Sequence, residues 1–411
     1  MYAVPALGPL SPSRLDEVRA ATLRLTQGLS GEDMAVQSMP DASPVKWHLA
    51  HTTWFFETLI LIPHALGYQI FHPSYAQLFN SYYESLGPRH PRPQRGLLTR
   101  PPCEEILQYR RHVEAALRQH WETLPSELLW LGLHHEQQHQ ELILTDLKHL
   151  FSSNPLRPVY RKDDTVSTHE PVSPVGWRSF AGGLVSIGHE GPGFAFDNEG
   201  PRHQVYLYPF RLADRCVTEA EYLAFMEDGG YAEPKWWLSE GWDLARSEGW
   251  EAPGYWFRED ARWKLFTLNG VREAGSASPV CHLSFFEADA YAKWAGKRLP
   301  LETEWEMAAS QEGEVLHPMT LHPTPIEAGP GLRQLFGGVW EWTASPYAPY
   351  PGFRAEAGAV GEYNGKFMVN QMVLRGGSCV TPPGHIRATY RNFFPPSARW
   401  QFSGIRLAED A

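Results

Sequence analysis

At 411 residues the chain is long enough for two or three domains, and its 43% hydrophobic and 20% charged content is that of a globular protein. A net charge of -11 argues against nucleic acid or an anionic membrane as the main partner. No basic segment followed by an apolar core opens the chain, and the longest apolar run, residues 59–62 before Pro63, is too short to span a bilayer, so a cytoplasmic protein is expected.

Ser11-Pro12 opens a first helix expected to reach about Gln27, with Leu15, Val18, Ala21, Leu23 and Leu25 as its apolar positions. Ser43-Pro44 is a suitable N-cap and first-turn pair for a second helix from Val45 to Ile62, stopped by Pro63. His48 and His51, three apart on it, share a face. A long irregular stretch follows to Pro102, carrying Asn80-Ser-Tyr-Tyr-Glu84 and the basic, Pro-rich Gly87–Arg95. A loop of that length in a compact domain is functional or disordered, and its aromatics favour function. The third helix is expected over Cys103–Thr123, and Pro125-Ser126 opens a fourth that no proline interrupts before Ser153.

The fourth helix carries His134-His-Glu-Gln-Gln-His139. His135 and His139 are one turn apart on one face, with Leu128, Leu131 and Leu142 along the same stripe, while His134 points about 100° away. A single histidine in such a stripe is more often a hydrogen-bonded core residue; two at this spacing favour a metal. Four amphipathic helices within residues 1–155 make a bundle, and bundles hold metals between facing helices. The second helix offers His48 or His51 as the third ligand.

Residues 156–176 read as a linker, within a stretch from Ser152 to Trp177 broken by Asn154-Pro, Arg157-Pro, Glu170-Pro and Ser173-Pro. From 177 to 411 the texture changes to short alternating strands (Ala181–Gly188, Gln204–Leu212), short helices (Thr218–Met226 with a Thr218–Glu221 capping box, Phe285–Ala295) and long Gly- and Trp-rich loops. The fold class is therefore multidomain, α followed by α+β. Cys103, Cys216, Cys281 and Cys379 are widely spaced without a C-x-x-C and are expected as reduced, mostly buried thiols.

Lys46-Trp-His-Leu-Ala-His-Thr-Thr-Trp-Phe-Phe-Glu57 together with His134–Leu142 resembles the DinB-like domain of ergothioneine-biosynthesis sulfoxide synthases. Asp197–His203, Val217–Tyr222, Lys297–Glu306, Gly338–Trp342, Leu374–Ser378 and Gly404–Leu407 are similar to the formylglycine-generating-enzyme fold, a C-type-lectin-like module. The resemblance covers nearly the whole chain. It implies a mononuclear non-haem Fe(II) held by His51, His135 and His139, with open positions for a thiolate, an imidazole and O2. The implied reaction joins the sulfur of cysteine to carbon 2 of the hercynine imidazole and oxidises that sulfur to a sulfoxide. It also implies paired active-site tyrosines, Tyr82 or Tyr83, one of which donates a proton to reduced oxygen. Gln138 and Asn392 correspond to hercynine-binding residues. Beside these, Arg89 and Arg92 suit a substrate carboxylate, Asp41 and Asn80 its ammonium, and Phe393, Phe394 and Trp400 a trimethylammonium cage.

Three other readings compete. His135-Glu136-x-x-His139 is formally the H-E-x-x-H of zinc hydrolases, with Glu136 as general base, although no further ligand follows at the usual position downstream. A lectin-like fold can also serve binding alone. Within the same architecture, the donor can be γ-glutamylcysteine, or a selenosugar in a selenoneine synthase. Without the resemblance, Tyr82 and Tyr83 read as loop packing, and Arg89, Arg92 and Arg95 as a solvated loop.

Overall fold

The computed structural model describes residues 9–162, 174–312, 319–325 and 329–411. Its first part is built on four long helices: α1 (Pro12–Arg24), α2 (Val45–Phe56), α3 (Cys103–His120) and α4 (Ser126–Ser152). The Ser11 hydroxyl caps α1 by accepting the Arg14 N–H at 3.2 Å. All residues of α2 are buried, because it packs against both α3 and α4.

Two details of α2 differ from the expectation. Ser43 does not cap it: Pro44 occupies the N-cap, and the Ser43 hydroxyl accepts from Arg95 Nη1 at 2.9 Å. Pro63 does not stop it either. A π-helical turn, Glu57–Leu61, widens the backbone just ahead of the proline, and the helix carries on through Ile62–His64. The stretch from 65 to 102 is tied down by short helical turns, Tyr75–Leu78, Glu84–Leu86 and Arg92–Leu97.

The second part begins with β1 (Trp177–Phe180). Residues 163–173 of the expected linker lie outside the described residues. Next come the hairpin β2 (Gly183–Ile187) and β3 (His203–Leu207), then β4 (Phe210–Ala213). The single strand expected over Gln204–Leu212 is thus two, broken where Pro209 lacks a ladder donor. A meander of β5 (Trp256–Glu259), β6 (Arg262–Thr267) and β7 (Gly270–Glu273) and a helix at Glu302–Glu312 were not anticipated. The helices Glu219–Glu227 and Phe285–Trp294 match expectation, each opened by a capping box. The largest sheet runs β10 (Asn392–Phe394), β9 (Met372–Arg375), β8 (Trp340–Pro346), β11 (Ser403–Gly404). β12 (Ala408–Asp410) joins β4 and β1 in another sheet. All four cysteines are free, and Cys216, Cys281 and Cys379 are buried. Among the described residues no helix is long and apolar enough to cross a membrane.

The second part sits on α4. Glu141 of α4 accepts from Trp340 Nε1 at 2.7 Å, Ser378 Oγ at 2.6 Å and Thr381 Oγ1 at 2.7 Å. The Glu362 carboxylate accepts the N–H groups of Glu84 at 2.9 Å and Ser85 at 3.0 Å, while Lys366 donates to the Tyr82 carbonyl. The tyrosine loop is therefore clamped from the other domain.

Candidate metal centre and its pocket

His51 of α2 and His135 and His139 of α4 converge, with one nitrogen of each within 4.8 Å of the others. His135 Nε2 and His51 Nε2 are 3.2 Å apart. The His51 ring is sandwiched between Trp47 (4.5 Å) and Trp54 (5.4 Å), and His135 stacks on Phe55 at 4.4 Å. Phe79 O lies 2.6 Å from His51 Nδ1, so His51 donates from Nδ1 and turns a bare Nε2 inward. Burial and the neighbouring rings hold all three imidazoles well below the ordinary range, His135 at about 3. They are neutral, with lone pairs available. Three converging neutral nitrogens fit a divalent transition metal and leave coordination positions open.

Glu136 is elsewhere. Its buried carboxylate accepts from Arg19 Nη1 (2.8 Å), Arg110 Nη2 (2.9 Å) and Thr22 Oγ1 (2.7 Å). Although burial opposes ionisation, the two guanidiniums hold its pKa down at about 2. A base so firmly ionised, with both oxygens occupied, cannot activate water at the histidines. This removes the geometric basis of the zinc-hydrolase reading.

A cavity of about 480 Å³ opens from the histidines between the two parts of the chain. Its lining includes a cationic group, Arg89, Arg92 and Arg95 with Asp41, Ser43 and Ser81, and a polar and aromatic group, Gln138, Tyr390, Asn392, Phe393, Phe394 and Trp400. Arg89 is half-exposed and pairs with Glu84 at 2.8 Å. Arg92 is exposed and donates to the Asp41 carbonyl. Gln138 is held by both neighbours: its Nε2 donates to Tyr390 Oη at 2.6 Å, and its Oε1 accepts from Tyr363 Oη. The Asn392 side chain accepts its neighbour's N–H, that of Phe393, at 2.9 Å. Phe394 and Trp400 meet edge to face at 5.9 Å, while Phe393 stacks on Tyr347 at 4.1 Å.

Three expected site residues do not line the cavity: His51, whose ring is enclosed by Trp47 and Trp54, and Asn80 and Tyr83. The Asn80 amide is turned into its own loop, donating to Tyr83 O at 2.9 Å and accepting Tyr83 N–H at 3.1 Å, and is fully buried away from the cavity, out of reach of a substrate ammonium there. The Tyr83 ring is fully buried between Trp54 (5.5 Å) and Tyr82 (4.7 Å); of the pair, Tyr82 reaches the cavity.

The sequence reading missed two residues that the fold brings in. Tyr363, from the second domain, lies 5.9 Å from His135 ring to ring. Burial raises its phenol and that of Tyr82. Arg95, left unassigned while Arg89 and Arg92 were given to a substrate carboxylate, is 3% exposed and stacks 3.4 Å over Trp47. Its hydrogen-bond partners are the hydroxyls of Ser43 (2.9 Å) and Ser81 (3.0 Å), its Nε has none, and it pairs with no carboxylate among the described residues. Burial and Arg92 push its pKa down, to about 8, with the nearby Asp146 partly offsetting them and Arg89 adding to the fall. Its one signal in the sequence is the three-residue spacing of Arg89, Arg92 and Arg95.

Residues 14–143 match the DinB superfamily, and residues 164–323 and 317–411 match the sulfatase-modifying factor enzyme 1-like domain. The chain is 32% identical to the hercynine oxygenase of Mycolicibacterium smegmatis, over 95% of this chain and 96% of that protein. It is 31% identical to the hercynine oxygenase of Mycolicibacterium thermoresistibile, over 99% and 96%. The formylglycine-generating enzyme of Streptomyces coelicolor is 28% identical, over 59% of this chain and 91% of its own length.

Proposed function

The chain belongs to the hercynine oxygenase family, and from that premise we propose that it is an Fe(II)- and O2-dependent sulfoxide synthase of ergothioneine biosynthesis, joining cysteine to hercynine. In the overall reaction the hercynine C2–H and the cysteine S–H are broken. A C–S and an S–O bond form, one atom of O2 enters the sulfoxide, and the other leaves as water with the two hydrogens. Iron bound by His51, His135 and His139 would supply open coordination positions at which thiolate, imidazole and O2 can meet.

The observation that carries this reading is that one cavity is lined both by His135 and His139 and by two kinds of recognition group. Gln138, with its amide oriented by Tyr363 and Tyr390, and Asn392 offer hydrogen bonds to a polar substrate. Phe394 and Trp400 offer apolar and aromatic faces that suit a trimethylammonium group. Arg89, Arg92 and above all Arg95, which has no salt-bridge partner among the described residues, favour an anionic donor. That preference supports an amino-acid thiol over a neutral selenosugar. Asp41, at the cavity edge, suits the donor's ammonium. The phenols of Tyr82 and Tyr363, protonated at neutral pH, are the candidate proton donors.

The test is an anaerobic assay of Fe(II)-loaded protein. Hercynine is offered with cysteine, γ-glutamylcysteine or a selenosugar, and air is then admitted. A hercynine–cysteine adduct carrying one added oxygen is expected by mass. No adduct from any donor, with no O2 consumed, would refute the proposal.

A further inference from the structure

Only one of the three converging histidines is backed by a second imidazole. His139 Nδ1 lies 2.7 Å from His48 Nδ1, and His48 Nε2 lies 2.9 Å from Asp146 Oδ2. The same Asp146 oxygen accepts the Ser43 N–H at 2.8 Å. Asp146, His48 and His139 are all buried. The other two histidines lack this support: His51 Nδ1 meets a backbone carbonyl, and His135 Nδ1 has no hydrogen-bond partner.

The direction of each bond follows from what each group can do. A carboxylate only accepts, so His48 donates to Asp146 from Nε2. With its one ring proton on Nε2, His48 presents a bare Nδ1, which accepts, so the proton between the rings belongs to His139 Nδ1. That leaves His139 Nε2 as a bare lone pair. The chain of two bonds thus selects the tautomer able to bind a metal, and sets the tilt of its ring.

We propose that Asp146 and His48 form a positioning relay for His139, fixing its tautomer and orientation for metal binding. The inference rests on the reading of His51, His135 and His139 as a metal centre. The plainer role, a polar tie between α2 and α4, would affect stability and leave the centre alone.

The experiment is titration of the metal-free full chain with Fe(II) under anaerobic conditions, and with Co(II) followed by its visible absorption. Thermal unfolding of each metal-free variant is recorded alongside. His48→Leu keeps the bulk and removes both hydrogen bonds; the affinity is expected to fall about 100-fold, with a shifted Co(II) band. Asp146→Asn keeps an acceptor and loses the charge; about 10-fold is expected. His48→Gln offers an amide oxygen to His139 and an amide N–H to Asp146, and should recover binding to within about threefold of the natural protein, since the pairing rather than the ring is what the relay needs. If His48→Leu binds both metals with unchanged affinity and spectrum, the relay is overturned while the metal centre stands. If Leu and Gln lose affinity equally, the effect is packing and the relay is again overturned. If the natural protein binds neither metal, both the relay and the centre fall.

Discussion

The helical domain buries arginines in two places and treats them in opposite ways. Arg19 and Arg110 share the carboxylate of Glu136, and Arg19 also reaches Glu114 at 2.8 Å, so the charges are matched inside the protein. Arg95 is as deeply buried, yet it has two serine hydroxyls and an indole face, with no carboxylate among the described residues. A matched buried charge belongs to the fold: remove one partner and the other is stranded. An unmatched one facing a cavity is a candidate for ligand binding, because an incoming anion would complete it. The contrast separates structure from function more cleanly than burial or residue type does.

Opening the matched site should have the largest effect. Glu136→Leu strands Arg110 and leaves Arg19 with Glu114 alone, and should lower the unfolding free energy by about 3–5 kcal/mol, read by chemical denaturation. The same carboxylate sets an acid limb. Its pKa is about 2 in the folded protein against an ordinary 4.5, so its contribution is complete above about pH 4.5 and is lost as the pH falls toward 2. That limb is worth about 3 kcal/mol, and stability curves of Glu136→Gln between pH 5 and pH 2 should lack it.

The unmatched site should respond in the opposite sense. Arg95→Leu removes an uncompensated buried cation, so stability is expected to hold or rise, while KM for the thiol donor rises by about 10- to 100-fold, as for a lost hydrogen bond to a charged group. A fall in stability of several kcal/mol with an unchanged KM would reassign Arg95 to the fold. Arg89→Ala, at a half-exposed residue already paired with Glu84, should have the smallest effect, less than about fivefold on the same KM.

Much of the helical framework was legible in advance. Apolar spacing and the Ser11 cap located α1, and the uninterrupted run from Ser126 located α4. The i, i+4 spacing of His135 and His139 put two imidazoles on one face, where they are found. The fates of short polar side chains were not legible. Ser43 looked like a cap and instead accepts from Arg95; Asn80 looked like a substrate ligand and instead closes its own loop. Such groups take whichever partner the fold brings within 3 Å, and local sequence does not specify that partner.

By itself the sequence determined what repeats along the chain: helical faces, capping boxes, the histidine pair and the motifs of two domains in order. Spacing left open whether His48 or His51 completes that pair; in three dimensions both turn toward it, a His51 nitrogen converging with those of His135 and His139 and His48 bonding the far nitrogen of His139. The tertiary structure alone decided that Glu136 faces Arg19 and Arg110, that Tyr363 reaches His135 from 228 residues away, and that Arg95 is left unpaired beside the cavity. Helical periodicity is set by local backbone geometry and can be read from neighbours in sequence. The pairing or isolation of a buried charge depends on segments that meet only once the chain has folded.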